Sequence, residues 1–227
     1  MQHRLELLGR RLDYTLKRSA RRRSIGLKIG RDGLTVTLPV RAPVAEAERV
    51  IRLKLDWILQ HLDTPRPELP QLRSGGHVLW LGTPRTLIAD AARSRLDDTT
   101  LALAAPDEHD ALAKAFTRFC QRAARNYFQQ RVPYWAERMG LQPRRVLLTS
   151  AKSRWGSCTA SGDVRLSWRL MQAPLAVIDY VIVHELAHLA ELNHSPRFWA
   201  VVETICPDWK ARRDWLKGEG AALLAWR

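Results

Sequence analysis

Residues 177–192 form the most apolar stretch of the chain and constrain its fold more than any other segment. Their apolar side chains recur at helical spacing, so the sequence predicts a helix. The stretch contains five ionisable residues: Asp179, His184, Glu185, His188 and Glu191. Ionisable groups in this number exclude a helix that crosses a lipid bilayer. The helix is therefore expected inside a folded domain, where these groups need partners because burying them unpaired is costly.

The rest of the sequence indicates a globular protein. The chain has 227 residues, of which 46% are hydrophobic. This is enough to bury a core without disulfide or metal cross-links. The first residues include no apolar segment of the kind that directs secretion, and we expect a soluble, cytoplasmic protein.

Positive charge is concentrated near the N-terminus. The formal net charge is +14, and residues 1–54 hold 14 Lys and Arg against 5 Asp and Glu. A basic surface attracts phosphate backbones, so DNA or another polyanion is a candidate partner. The candidate contacts are Arg21, Arg22 and Arg23, which are consecutive. A solvated basic face that only aids solubility explains the same charge equally well.

Alternating apolar residues in segments 25–29 and 34–38 flank the turn signal Arg31-Asp32-Gly33, a pattern that predicts a hairpin. Residues 45–62 have the periodicity of one amphipathic helix. Segment 64–70 holds three prolines and predicts a stiff connector.

We predict an α+β chain with two domains. Residues 1–105 form a basic, β-rich N-terminal region with one amphipathic helix. Residues 106–227 form a second domain in which the apolar helix packs on a small, mainly antiparallel sheet. In this second domain, Asp107 is expected to cap a long helix that Pro133 kinks or ends.

The apolar helix carries the pattern H-E-x-x-H at residues 184–188. Two histidines four residues apart lie on one face of a helix, so His184 and His188 can bind the same metal ion. Glu185 is placed to hydrogen-bond a water on that metal without binding the metal itself. This is the zincin arrangement, in which Zn²⁺ lowers the pKa of a water to about 7 and the glutamate accepts its proton.

A third ligand is expected from the residues that follow. Asn193 tolerates the left-handed conformation that ends helices, Ser195 can cap the next helix and Pro196 suits its first turn. A break at Asn193 lets His194 fold back towards the metal. Glu191 and Glu203 are alternative ligands, and Glu191 is also a candidate partner for a ligating imidazole.

These motifs resemble those of the YgjP-like family of zinc metallopeptidases, which is related to the SprT-type and Wss-type proteases. The resemblance rests on the H-E-L-A-H motif at 184–188, on N-H-S at 193–195 and on R-W-G-S-C at 154–158. It implies a zincin-like fold with His184, His188 and His194 as ligands of one Zn²⁺ and Glu185 as catalytic base. It also implies a peptide or protein substrate.

Further residues near these motifs have two interpretations each. Trp155, Gly156 and Ser157 could form a strand edge that pairs with an extended substrate, or could serve packing and a tight turn. Tyr180, one helical turn before His184, could donate to an oxyanion or could be a core aromatic. Cys158 is a further alternative metal ligand.

Three functions are compatible with the sequence. The leading hypothesis is a zinc-dependent peptidase, possible targets being proteins associated with DNA. The first alternative is a nucleic-acid-binding protein with a structural or vestigial zinc site. The second alternative is a zinc hydrolase that acts on another class of bond.

Overall fold

The alternating pattern near the N-terminus produces four strands in the computed structural model, which describes residues 2–7, 9–30, 33–63, 71–224 and 226. The strands are β1 (Gln2–Leu7), β2 (Arg10–Ser19), β3 (Gly26–Gly30) and β4 (Gly33–Pro39). They form one sheet in the order β1-β2-β4-β3, in which β2 and β4 are parallel and the outer pairs are antiparallel. The predicted hairpin of β3 and β4 is thereby confirmed, although Arg31 and Asp32 of its turn lie outside the described residues.

Two helices follow this sheet, α1 (Val44–Leu53) and α2 (Leu55–Asp63). The prediction of a single helix over residues 45–62 is therefore wrong. The backbone of Lys54 leaves the helical region at φ −114° and ψ 20°. The apolar periodicity continues across this one residue, which is why the pattern did not reveal the break. Both helices contribute to the core under the sheet, with Ile51 and Ile58 fully buried.

The second unit contains two further sheets. The first consists of β5 (His77–Trp80), β6 (Thr83–Ile88), β7 (Arg95–Leu96) and β8 (Thr100–Ala102), in the order β5-β6-β8-β7. The second consists of β9 (Arg145–Thr149), β10 (Gly156–Cys158) and β11 (Asp163–Ser167), in the order β10-β11-β9. β10 and β11 are antiparallel, whereas β9 and β11 are parallel. This small sheet is therefore mixed and not mainly antiparallel, because β10 folds back to the outside and leaves β11 between the other two strands.

Five α-helices complete the second unit: α3 (His109–Met139), α4 (Leu175–Ala187), α5 (Pro196–Ile205), α6 (Trp209–Lys217) and α7 (Gly220–Leu223). A short 3-10 helix, Trp168–Gln172, precedes α4. Helix α4 packs against α3, α5 and α6 and against strands β10 and β11. The chain is thus of the predicted α+β class, and within its described part no helix is long and apolar enough to cross a membrane.

Helix α3 begins one residue later than predicted, and Pro133 does not end it. Glu108, and not Asp107, is its N-cap residue, because the Asp107 carboxylate instead accepts a hydrogen bond from the backbone N–H of Ser74 at 2.7 Å. Pro133 lies inside the helix, which continues to Met139 and ends where Gly140 takes a left-handed conformation at φ 62°. One missing backbone N–H does not end a helix that is held by a long buried face.

The two compact units are residues 1–66 and 67–227. The predicted connector, residues 64–70, lies outside the described residues. Residues of β5 to β8, which the sequence assigned to the N-terminal region, contribute to the core of the second unit through side chains such as Leu87 and Leu101. That residues 1–105 and 106–227 form separate domains stays a prediction.

A charged contact fixes α4 against α3. Both carboxylate oxygens of Asp179 accept hydrogen bonds from the Arg131 guanidinium, at 2.7 and 2.6 Å, and one of them also accepts from the Trp135 indole N–H at 2.9 Å. The Asp179 side chain is 12% exposed and that of Arg131 31%. Bidentate pairs of this kind are among the stronger hydrogen bonds in proteins.

Replacement of Asp179 by Ala is expected to lower the free energy of unfolding by about 3 kcal/mol, because a largely buried guanidinium and an indole N–H lose their acceptor. Chemical denaturation measures this change. Asp214 provides the control, since its ion pair with Lys217 is 65% exposed at both ends. Asp214→Ala is expected to cost less than about 1 kcal/mol. Equal effects of the two substitutions would contradict a stabilising role for the Asp179 contact.

Candidate metal centre

The first two histidines are placed by the end of α4. His184 lies in the last turn of the helix, and His188 is its C-cap residue with helical backbone angles, φ −65° and ψ −14°. The spacing of four residues therefore still places both imidazoles on one face. The helix ends at Ala187, so the prediction that it breaks at Asn193 is wrong. The residues that follow form turns, and apolar side chains among them, such as Leu189, still pack against the core. The apolar spacing of the sequence therefore continues beyond the end of the helix.

The next helix returns the third histidine to the first two. Ser195 is the N-cap residue of α5, accepting a hydrogen bond from the backbone N–H of Phe198 at 3.3 Å, and Pro196 occupies the first turn. Both features were predicted. His194, just before the cap, has its Nε2 atom 3.1 Å from Nε2 of His184.

The three histidines form a group that could hold a metal ion. One ligand atom from each of His184, His188 and His194 lies within 4.8 Å of the others. Two nitrogens bound to a tetrahedral zinc at about 2.0–2.1 Å are about 3.3 Å apart, close to the separation of His184 and His194. Within the described part of the chain, neither Glu191, Glu203 nor Cys158 belongs to this group.

An aromatic environment surrounds the imidazoles. The Phe198 ring centroid lies 4.9, 4.5 and 4.7 Å from those of His184, His188 and His194, respectively. Trp199 lies 5.9 Å from His184 and 5.6 Å from His194. Burial lowers the pKa of His184 to about 3, with the neighbouring histidines acting in the same direction, and burial also lowers the pKa of His188. Both rings are thereby kept neutral, which is the form that binds metals.

Glu191 contacts the group through its backbone. Its carbonyl oxygen lies 3.1 Å from Nδ1 of His188. A proton on Nδ1 that is donated to this carbonyl leaves Nε2 of His188 with a free lone pair. The sequence suggested Glu191 as a partner of a ligating imidazole, and in the structure its backbone carbonyl is the group that lies beside His188.

The Glu185 carboxyl group lies between α4 and β10. Its side chain is buried, and an ideal Cβ built on Gly156 would lie only 2.6 Å from Oε1 and 2.7 Å from Cγ of Glu185. Glycine at position 156 is therefore what allows this close approach. Burial raises the pKa of Glu185 to about 8, an effect that the positive charge of Arg154 partly opposes.

Strand β10 is an edge strand of the described sheet. Its residues Gly156, Ser157 and Cys158 pair with β11 on one side, and the carbonyl of Trp155 accepts a hydrogen bond from the Ser167 N–H at 2.8 Å. No described strand pairs with its other side. An extended peptide could add there as a further strand.

A pocket of about 420 Å³ opens beside the histidines and Glu185. Tyr180 lines it with its ring centroid 5.8 Å from that of His184, and burial raises the pKa of this phenol to about 12. Six further residues line the pocket and were not predicted from the sequence to do so: Arg154, Val181, Trp199, Arg213, Leu216 and Lys217. Two of the helices that supply them, α5 and α6, reach the pocket only through tertiary packing, for which no local sequence signal exists.

The arginine run lies in the first unit. Arg21, Arg22 and Arg23 are exposed in the loop that joins β2 to β3. No salt bridge involving them is found in the described part of the chain.

Comparison with known proteins gives one family match. The model of a family described as YgjP-like, metallopeptidase domain, matches residues 23–219. Among solved structures, the chain is similar to the metallopeptidase zymogen of Pyrococcus abyssi abylysin, with 23% sequence identity and a TM-score of 0.36. That similarity covers 40% of this chain and 94% of the other. No curated protein matches the chain.

Proposed function

We propose that this chain, which belongs to the YgjP-like metallopeptidase family, is a zinc-dependent peptidase with His184, His188 and His194 as the ligands and Glu185 as general base. Family membership makes it a metal-dependent peptidase with a peptide or protein substrate. The observation that supports the proposed site best is that Glu185 and two of the clustered histidines line one pocket.

The chemistry of the donors favours zinc. All three candidate ligand atoms are imidazole nitrogens, which suit zinc, whereas magnesium and calcium prefer oxygen ligands. Three protein ligands leave a coordination position open, as in catalytic zinc sites. When bound, zinc would lower the pKa of a water molecule and polarise the scissile carbonyl.

The protein's own groups supply the proton transfers and the substrate position. Glu185 accepts a proton from the attacking water and passes it to the leaving amine. A nearby cation favours the charged form of a carboxyl group, so an ion held by the histidines would offset the effect of burial on the pKa of Glu185. The free edge of β10 binds the substrate backbone, and Tyr180, protonated at neutral pH, is a candidate donor to the carbonyl oxygen.

Digestion of a proteome-derived peptide library tests this function. We expect the zinc-loaded protein to cleave peptides and the chelator-treated protein to lose this activity until zinc is restored. Cleavage of phosphate or carboxylic esters, with every peptide left intact, would instead support a zinc hydrolase of another class.

A contact with DNA is the second proposal, and it is based on the first unit. Lys17 and Lys28 lie on the solvent face of its sheet, in addition to the exposed arginine loop. Arg4, on the same face, is already paired with Asp13 at 2.8 Å. A peptidase with this surface could be recruited to proteins that are associated with DNA.

Substitution of Arg21, Arg22 and Arg23 by Ala is expected to weaken duplex binding and to reduce its dependence on salt. Each lost phosphate contact lowers the slope of log K against log salt by about 0.9. Fluorescence anisotropy at several salt concentrations measures this slope, and Arg4→Ala is the control because its charge is already paired. If the wild-type protein binds no DNA at low salt, the DNA proposal is wrong and the peptidase proposal is unaffected.

A further inference from the structure

Positive charge dominates the walls of the pocket beside the histidines. Arg154, Arg213 and Lys217 line it, and among its described lining residues Glu185 is the sole acidic one. Glu185 already has a proposed role as general base. The pocket therefore offers three cationic groups to a ligand and no other carboxylate to repel it.

Arg213 is held in place by aromatic rings. Its guanidinium carbon lies 4.8 Å from the Trp209 ring centroid and 5.6 Å from that of Trp199. These two indoles stack on each other with centroids 4.0 Å apart, and Trp199 in turn contacts His184 and His194. Cation–π contacts to a stacked pair restrict the guanidinium to one region of the pocket wall.

The Nε–H of Arg213 lacks an acceptor. This nitrogen is buried and has no hydrogen-bond partner in the described part of the chain. Among the described residues, the closest carboxylate oxygen to it is Oδ1 of Asp214 at 3.8 Å, which is beyond hydrogen-bond distance. Water does not reach this nitrogen, so an incoming anion would instead meet the terminal N–H groups of Arg213, whose side chain is 37% exposed.

The other two cations are also poorly neutralised. Lys217 Nζ lies 3.4 Å from Asp214, but both side chains are 65% exposed, so water and salt weaken this pair. Arg154 is exposed and forms no salt bridge with any described residue. Its positive charge acts to lower the pKa of Glu185, against the effect of burial.

We propose that this pocket recognises a carboxylate of the substrate, with Arg213 as its main partner, and that the enzyme prefers peptides with an acidic group beside the cleaved bond. The inference rests on the proposed peptidase function. The guanidinium offers parallel N–H donors that match a carboxylate, while Trp155, Val181 and Leu216 contact the methylenes that carry it. The carboxylate can be a Glu or Asp side chain or the C-terminus of the substrate.

Peptide binding tests the inference without requiring turnover. The ligands are pentapeptides with acetylated and amidated ends that differ only in a central Glu, Gln or Lys, together with the Gln peptide bearing a free C-terminal carboxylate. Tryptophan fluorescence of the zinc-loaded full chain reports their dissociation constants, with Glu185→Gln used to prevent cleavage. We expect the Glu peptide, the free-carboxylate peptide or both to bind at least about ten-fold more tightly than the blocked Gln peptide, as a charge-assisted hydrogen bond provides.

Variants identify the residue responsible. Arg213→Gln is expected to reduce this preference to less than about three-fold, and Arg213→Lys to restore part of it. Lys217→Gln, at an exposed position that does not endanger folding, is expected to reduce it by a factor of about two to five. Arg118→Gln, at an exposed position on α3 outside the pocket, is the matched control and should retain the full preference.

The outcomes separate the two proposals. Equal binding of all the peptides by the Glu185→Gln protein, or an unchanged preference when Arg213→Gln is added to it and the protein still folds, would overturn carboxylate recognition. A clear preference in binding, with no cleavage of any peptide by the zinc-loaded protein that retains Glu185, would instead contradict the peptidase function and leave carboxylate recognition supported. A tighter complex with the central Glu peptide than with the free-carboxylate peptide would assign the pocket to an acidic side chain, and the reverse order would assign it to the C-terminus.

Discussion

Replacement of Glu185 by Gln is expected to reduce peptide hydrolysis by about 10²- to 10⁴-fold, the usual contribution of a general acid–base group, while the protein keeps its zinc. Gln has nearly the shape of Glu but cannot accept the proton of the attacking water. Because the proposed ligands are histidines, their geometry is unchanged. Steady-state cleavage of a peptide identified in the library and elemental analysis of the same sample measure the two quantities together.

Glu203 provides the matched control for this experiment. It is an exposed residue of α5, the helix that follows the third histidine, and was an alternative metal ligand in the sequence. Glu203→Gln is expected to leave both zinc content and cleavage unchanged. Normal turnover by a zinc-loaded Glu185→Gln protein would refute the assignment of Glu185 as the base.

Gly156→Ala is expected to reduce hydrolysis by about 10²-fold without loss of zinc, since displacement of a reacting group by about 1 Å has effects of this size. The new methyl group would lie 2.6 Å from Oε1 and 2.7 Å from Cγ of Glu185. Contact with Cγ means that rotation of the carboxylate alone does not remove the clash, so the whole side chain must move. The effect should fall mainly on kcat, because the three atoms nearest to this methyl group all belong to Glu185.

Gly30→Ala is the control for this substitution. An ideal Cβ at Gly30, in β3 of the first unit, meets no atom within 4 Å, and the backbone there does not require glycine. Its cleavage rate should equal that of the wild type. A Gly156→Ala protein with full activity would show that the close approach of Glu185 to β10 is not needed for catalysis.

The spacing of the motif was sufficient to predict which two histidines lie side by side. The spacing of four positions from His184 to His188 places two imidazoles on one face, and this holds even though the helix ends at Ala187. The cap at Ser195 and the following Pro196 were recognisable because these residues have a local, physical reason to begin a helix. A local signal therefore predicted that the chain returns His194 to the other two histidines, as the structure has it, although the predicted break itself was wrong.

Other features depend on contacts between distant segments. The aromatic environment around the imidazoles needs Phe198 and Trp199 on the correct side of α5, and the cationic pocket needs α6 to return to α4. Neither helical periodicity nor composition specifies those packing partners. The parallel pairing of β9 with β11 was missed for the same reason, because register between separated strands is set by the tertiary fold.

Titration of the metal-free protein with zinc tests the central proposal most directly, with bound zinc and peptide cleavage followed in one sample. We expect cleavage to be absent without metal and to rise in proportion to bound zinc until one ion is held per chain. The ion should fail to bind stoichiometrically when His184 is replaced by Ala. Peptide cleavage by the metal-free protein, or a fully zinc-loaded protein that cleaves no peptide in the library, would contradict the proposed function.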